Sequence, residues 1–151
     1  MSSGNGQTSS MEAADASRRI FTAPEKPSDI STTSCHYRPL FGAGEMQTPV
    51  LGSVARYGIV DIDPHGSCKP VTYAGEEQLY VVLKGTGEAV YGTQKVGLKT
   101  EDFLYLPASV RHGLANPTAA PMKVVIMGFH TKGFPSGPLP AQPLKDNIAN
   151  V

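Results

Sequence analysis

The clearest pattern in this chain is a series of short segments in which apolar and polar residues alternate. They begin at residue 53 with SVARYGIVDI and continue with QLYVVLKG, GEAVYG, DFLYLPA, RHGLANPT and MKVVIMGFH. Gly, Pro or Asn separates successive segments, and strands recur at intervals of about 8 to 12 residues, as in antiparallel β proteins. The pattern predicts an all-β domain, either a sandwich or a barrel, over residues 53–131.

Two connections in this region can be predicted in more detail. The sequence PHG at residues 64–66 predicts a turn that leaves His65 exposed. The sequence GTG at residues 85–87 is short enough for a tight turn. We therefore expect the strands on either side of it to pair as a hairpin.

The flanking segments predict less regular structure. Residues 1–16 are rich in Ser, Gly, Asn, Gln and Ala, and we expect a disordered tail there. Residues 17–52 show an irregular pattern with short β-forming pieces, which favours an N-terminal arm or edge strands. Residues 132–151 include the Pro-rich sequence GFPSGPLPAQP and are expected to form an extended C-terminal segment.

Composition and charge narrow the class of partner. Thirteen Lys plus Arg residues balance thirteen Asp plus Glu residues, so we expect neither a nucleic acid nor a membrane surface as partner. No apolar run approaches the roughly 18 residues of a membrane helix, and no signal-peptide pattern is visible, which leaves the cytoplasm as the default location.

The chain has two cysteines, Cys35 and Cys68, which lack CxxC spacing. We expect them to be two thiols in preference to one disulfide.

Two segments share a longer-range frame of special backbone positions. In GSCKPVTYAGEEQLYVVLKG, five residues separate Gly66 from the triplet at 72–74, three more lead to Gln78, and six more lead to Gly85. In EDFLYLPASVRHGLANP, the positions that carry the frame are Pro107, His112 and Asn116.

This arrangement resembles the two signature motifs of the cupin superfamily. Glu101 and Ser109 stand where that family has glycines. The resemblance implies an all-β fold, a cupin-type jelly-roll β-barrel, here with extended N- and C-terminal arms. It also implies a homodimer, because such barrels often pair through arms or sheet edges.

Metal-binding cupins hold their ion with three His and one Glu that face the barrel lumen. Carried over by motif position, those sites are Thr72, Ala74, Gln78 and His112. Only His112 is an ordinary transition-metal ligand, and Ala74 has no donor atom. The resemblance therefore implies a degenerate metal site and no cofactor, with a weakly bound transition metal as the alternative.

A weakly bound transition metal would require a rearranged set of ligands. Its candidate ligands are His112, Gln78, Glu76 and His130. Against this, Glu76 and Glu77 are interpreted as a solvated turn, and His130 as a partly buried side chain bonded to backbone.

Strand alternation predicts which side chains face the lumen. If Gln78 faces inward, so does Tyr80. Arg56 shares the parity of the apolar positions on its own strand, where it could bind a carboxylate or phosphate, and the alternative is a rim position at the strand end. The predicted ligand pocket consists of Thr72, Gln78, Tyr80, His112 and Arg56. Within it, His112 is the candidate acid or base, and its alternative role is that of a hydrogen-bonded core histidine.

Three functional hypotheses follow. The first is a barrel that binds a small polar molecule in its lumen without the three-His, one-Glu metal site. The second is a metal-dependent cupin enzyme (an oxygenase, isomerase or lyase) with a rearranged ligand set that includes His112. The third is a structural barrel without activity, so the sequence leaves open whether the protein is an enzyme.

Overall fold

A computed structural model describes residues 24–42 and 53–131 of the chain. The predicted tail at 1–16 and the Pro-rich segment at 132–151 lie outside the described residues, and the arm at 17–52 is described only over 24–42. Within the described residues there are eight β-strands and no helix: β1 (Cys35–Gly42), β2 (Val54–Ile62), β3 (Glu76–Lys84), β4 (Gly87–Tyr91), β5 (Gln94–Leu98), β6 (Phe103–Leu106), β7 (His112–Ala115) and β8 (Met122–His130).

The strands form two antiparallel sheets. The larger has the order β1-β2-β8-β3-β6, and the smaller has the order β5-β4-β7. Alternate residues along β3 and β8 are buried, and buried side chains from both sheets meet in one hydrophobic core. The protein is therefore all-β, as the strand pattern predicted, and is a barrel of jelly-roll type, as the family resemblance implied. No part of the chain that the structure describes forms a helix able to cross a membrane.

The expected hairpin between β3 and β4 is wrong. β3 pairs with β6 and β8, whereas β4 pairs with β5 and β7. At the connection, Gly85 has a φ of 82°, and a Cβ there would lie 2.6 Å from the carbonyl oxygen of Pro121. The tight turn is real, but it carries the chain from one sheet to the other, and the hairpin forms one connection later, between β4 and β5.

The expectation of two thiols is also wrong, because Cys35 and Cys68 form a disulfide. Both cysteines are buried, at 0% and 7% exposure. The bond joins β1 to the long connection between β2 and β3, and that connection then runs along β7 through the bridge between Val71 and His112. Sequence spacing did not reveal the pair, since the two residues are 33 positions apart and meet only through the fold.

The backbone supports the frame on which the family resemblance rests. Glu101 and Ser109, which occupy the glycine positions of the second motif, have φ angles of 72° and 67°. These left-handed values are uncommon for residues other than glycine, Asn and Asp. The turn geometry of the motif is therefore kept although the glycines are absent.

Asn116, the last residue of that frame, has a structural role. Its Nδ2 donates to the carbonyl oxygens of Ile62, Asp63 and Ala120, and its Oδ1 accepts from Thr118. The side chain is 1% exposed and is satisfied by partners from β2 and its own loop. It therefore fixes the loop before β8 against the end of β2.

Candidate functional site

Polar side chains occupy the buried interior alongside the apolar core. Gln78 and Tyr80 lie on β3, Arg56 lies on β2 and His112 begins β7. Their exposures are 1%, 3%, 7% and 2%, respectively. Alternation along β2 and β3 explains why the first three point inward.

Arg56 is the centre of a polar network in this interior. Its Nε donates to Glu76 Oε2 at 2.8 Å and its Nη2 donates to Glu76 Oε1 at 3.2 Å, a two-point contact between guanidinium and carboxylate. Gln78 Nε2 donates to the same Glu76 Oε2 at 2.9 Å. Burial alone would lower the pKa of Arg56, but the hydrogen bond to Glu76, the Tyr73 hydroxyl and the negative charges of Glu76 and Asp29 outweigh it and raise that pKa.

Two connecting segments complete the environment of the guanidinium. Arg56 Nη1 donates to the Tyr73 hydroxyl at 2.8 Å and lies 3.4 Å from Asp29 Oδ1. The Tyr73 ring also stacks on the guanidinium, with its centroid 3.9 Å from Cζ. Tyr73 belongs to the connection between β2 and β3, and Asp29 to the segment before β1. Sequence reasoning missed both residues, because neither lies in a strand where alternation assigns a direction.

His112 is held as a neutral imidazole. Its Nδ1 lies 3.0 Å from the carbonyl oxygen of Val110, which can only accept, so Nδ1 carries the proton. Its Nε2 lies 3.0 Å from the Tyr80 hydroxyl and accepts a hydrogen bond from it. Burial lowers the pKa of His112 and raises that of Tyr80, so both groups stay uncharged near neutral pH.

Two buried polar atoms of the interior have no hydrogen-bond partner among the described residues. They are Gln78 Oε1 and the Tyr37 hydroxyl, and both residues are 1% exposed. Burial raises the pKa of Tyr37 to about 12, with smaller effects from Arg56, Asp29 and Glu76, so this phenol is close to the same charged network. Such atoms are rare in folded proteins, since burying a polar group without a partner costs about 1–3 kcal/mol.

Glycines on two neighbouring strands provide the space for these side chains. A Cβ on Gly128 of β8 would lie 2.6 Å from Gln78 Nε2 and 2.7 Å from Arg56 Cγ. A Cβ on Gly58 of β2 would lie 2.5 Å from the Tyr37 ring. The polar network and the unpaired phenol therefore depend on the absence of side chains at these two positions.

Several predicted positions differ in the structure. Thr72, expected in the lumen beside His112, is exposed, because it lies in the connection between β2 and β3 and not in a strand. His130, expected to be partly buried, is exposed at the end of β8. Glu76, expected in a solvated turn, begins β3 with a side chain only 17% exposed. Glu77 accepts a hydrogen bond from Tyr105 at 2.8 Å and is also not free in solvent.

Two further expectations can be compared with the geometry. His65 lies in a turn and is exposed, as predicted. Arg56 reaches the interior, but its guanidinium is bound by carboxylates of the chain itself, which corrects the idea that it is free to bind a carboxylate or phosphate.

The residues present do not fit a transition-metal site. Among residues 24–42 and 53–131, no three or more His, Cys, Asp or Glu side chains are grouped as metal ligands. The only lone pair of neutral His112 is used by Tyr80, and the Glu76 carboxylate is bound by a guanidinium whose charge repels a metal ion. Gln78 contributes a single neutral carbonyl oxygen, and His130 is exposed at the strand end. The donor set of this interior therefore does not suit a bound transition metal.

Comparisons with known proteins agree with the fold. Residues 58–128 match the Cupin_2 family model, described as a cupin domain. A predicted oxalate decarboxylase of Thermotoga maritima is 16% identical with a TM-score of 0.60, covering 76% of this chain and 96% of that one. A double-stranded β-helix domain protein of Klebsiella pneumoniae is 15% identical with a TM-score of 0.59, covering 76% and 91%.

More distant similarity extends to a eukaryotic protein. The cupin domain of Schizosaccharomyces pombe Cnp3 is 11% identical with a TM-score of 0.55, covering 68% of this chain and 69% of that one. No curated protein sequence matches the chain. At such identities the structural likeness establishes the fold alone.

Proposed function

Because this chain belongs to the cupin superfamily, we propose that its barrel binds a small polar molecule in the lumen, without a metal ion. The observation that carries this proposal is the pair of unpaired buried atoms, Gln78 Oε1 and the Tyr37 hydroxyl. They lie beside a charged network whose other members are satisfied. A bound molecule that pairs with both atoms would remove the cost of their burial.

Binding is favoured over acid–base catalysis by the state of His112. Both of its ring nitrogens are engaged, one by the Val110 carbonyl and the other by the Tyr80 hydroxyl. A base needs a free lone pair within reach of the proton it removes. We therefore assign His112 and Tyr80 to the wall of the pocket, where they hold each other in place.

Thermal unfolding in the presence of small polar probes tests the proposal. A ligand at 100 times its Kd stabilises the fold by about 2.7 kcal/mol, which is easily measured. We expect at least one hydroxyl- or amide-bearing probe among sugars, polyols, phenols and primary amides to raise the unfolding temperature. If no probe does so at millimolar concentration, the barrel is structural and the proposal is wrong.

The Tyr37→Phe variant separates binding from stability. The hydroxyl it removes has no partner in the described residues, so the free variant should be as stable as the parent or more stable. The stabilisation by the probe should nevertheless fall. Tyr105→Phe is the matched control, because that phenol bonds Glu77 on the outer side of the barrel and its loss should leave the response to the probe unchanged.

A second copy of the chain is the proposed protein partner. Leu83 and Phe103, on β3 and β6, are the large hydrophobic side chains with substantial exposure in the described residues, at 47% and 52%. Sedimentation velocity should show a dimer that Phe103→Glu weakens.

For the cellular location, the cytoplasm stays the default expectation. The Cys35–Cys68 disulfide weighs against it, because such bonds are rare in reducing compartments.

A further inference from the structure

We infer that the lumen selects uncharged molecules that donate hydrogen bonds, such as alcohols, sugars or primary amides, and that Asp29 excludes carboxylates and phosphates from it. This inference rests on the proposed binding function and names the class of ligand. It is carried by three features of the interior: its net charge, the occupancy of the guanidinium, and the kind of polar atom left unpaired.

The charges of the network around Arg56 sum to a negative value. One guanidinium, on Arg56, faces the carboxylates of both Glu76 and Asp29. His112 adds no charge, because its protonated Nδ1 donates to a backbone carbonyl and its Nε2 accepts from Tyr80. An anionic ligand that reaches this network would therefore meet one carboxylate in excess, that of the half-exposed Asp29, which solvent screens only in part.

The guanidinium offers little to an anion. Nε and Nη2 donate to Glu76 at 2.8 Å and 3.2 Å. These two nitrogens form the edge of a guanidinium that usually binds a carboxylate. Nη1 is shared by the Tyr73 hydroxyl and Asp29, and one face is covered by the Tyr73 ring. Asp29 thus occupies, as part of the chain, a position on Arg56 that a ligand anion would need.

One of the two unpaired groups, Gln78 Oε1, requires a hydrogen-bond donor. Gln78 Nε2 donates to a carboxylate, which fixes the orientation of the amide and identifies the unpaired atom as the carbonyl oxygen. A carbonyl oxygen accepts hydrogen bonds and cannot donate. Hydroxyl and amide groups can donate to it and can also pair with the Tyr37 hydroxyl, whereas an ionised carboxylate has no proton to give.

Asp29 is the adjustable element of this selection. It lies outside the strands, is 45% exposed and approaches Nη1 at 3.4 Å, so its removal should disturb the fold little. Glu76, in contrast, is only 17% exposed and is bonded to both Arg56 and Gln78. Asp29→Asn keeps the shape of the side chain and removes one negative charge from the network.

The experiment measures binding of matched probes by titration calorimetry. The pairs are xylose and xylonate, benzyl alcohol and benzoate, and inositol and inositol monophosphate. For the parent protein we expect at least one uncharged member to bind at least tenfold more tightly than its anion, in a manner lost in Tyr37→Phe. In Asp29→Asn, and in Asp29→Ser as a second variant, the anion of that pair should gain at least tenfold. Asp63→Asn is the control, because that exposed acid pairs with His36 outside the lumen.

The outcomes separate the two proposals. If no member of any pair binds, the proposed function is wrong. If the anions bind the parent more tightly and Tyr37→Phe abolishes that binding, the lumen is a ligand site but the inferred ligand class is wrong. If uncharged members bind as expected while both Asp29 variants leave the anion affinity unchanged, the role assigned to Asp29 is wrong.

Discussion

Removing Arg56 is the most direct test of how the interior is held together. The Arg56→Met variant keeps an unbranched side chain but leaves Glu76 without its cation. The side chains of the pair are only 8% and 17% exposed, and their closest contact is 2.8 Å. Breaking a buried pair by removing one partner costs about 3–5 kcal/mol, because the remaining charge is buried without compensation. The partial exposure of Glu76 places our expectation near the lower figure, about 3 kcal/mol.

A double-mutant cycle then isolates the interaction. Glu76→Leu alone should also destabilise, since it leaves the guanidinium with only the half-exposed Asp29 as counter-charge. The double variant removes both charges, and well-packed apolar replacements of buried ion pairs are often close to neutral. We therefore expect the double variant to be more stable than the sum of the single effects indicates, by about 2 kcal/mol.

Urea unfolding followed by far-UV circular dichroism is the assay, because the chain contains no Trp. Thermal unfolding gives a second measurement: a loss of about 3 kcal/mol should lower the midpoint temperature by about 6–12 °C for a chain of this length. Arg38→Met is the matched control. Arg38 contacts Asp61 at 2.9 Å, but their side chains are 33% and 37% exposed, so that variant should cost less than about 1 kcal/mol. The reasoning is refuted if Arg56→Met costs no more than Arg38→Met, or if the cycle shows no coupling.

Three further predictions concern other parts of the fold. Gly128→Ala should destabilise by about 1–3 kcal/mol through the clash with the network, whereas Gly97→Ala, with open space around its Cβ, should be nearly neutral in the same urea assay. Replacing Cys35 and Cys68 by Ser should cost about 4 kcal/mol from loop entropy across 33 residues; unchanged stability after reduction would contradict this. The hydrogen bonds of His36 to Asp63 and Glu25 raise its pKa above 6.5, so its contribution to stability is full below pH 6.5 and lost as pH rises through the raised pKa. The difference in unfolding temperature between the parent and His36→Gln should therefore shrink as the pH is raised through that pKa. A difference that does not change with pH would contradict the stabilising role of charged His36.

Local pattern was sufficient for the strands and for the motif frame. The apolar segment MKVVIMGFH predicted β8 at its observed bounds, Met122–His130, where alternate residues are buried. The frame also anticipated that residues 101 and 109 occupy turn positions of special geometry, and Glu101 and Ser109 have left-handed backbones there. Both features are encoded within a few residues of one another, which is why sequence alone could reveal them.

Long-range pairing was not encoded in this way. A tight turn at Gly85 is compatible with a hairpin or with a step between sheets, and only the pairing of β3 with β6 and β8 decides between them. Cys35 and Cys68 were likewise too far apart in sequence for their pairing to be visible. Asp29 and Tyr73 escaped notice because they lie in connections, where alternation does not predict the direction of a side chain.

The error over Glu76 was of a different kind, because the information needed to avoid it was present in the sequence. Alternation had put Arg56 either in the interior or at the rim, and an arginine buried there, which cannot lose its charge, is tolerated only beside an acid. Glu76 shares the parity of Gln78 on the adjoining motif, so it was the natural partner and not a solvated turn residue. A buried Arg therefore predicts a neighbouring acid in the same interior.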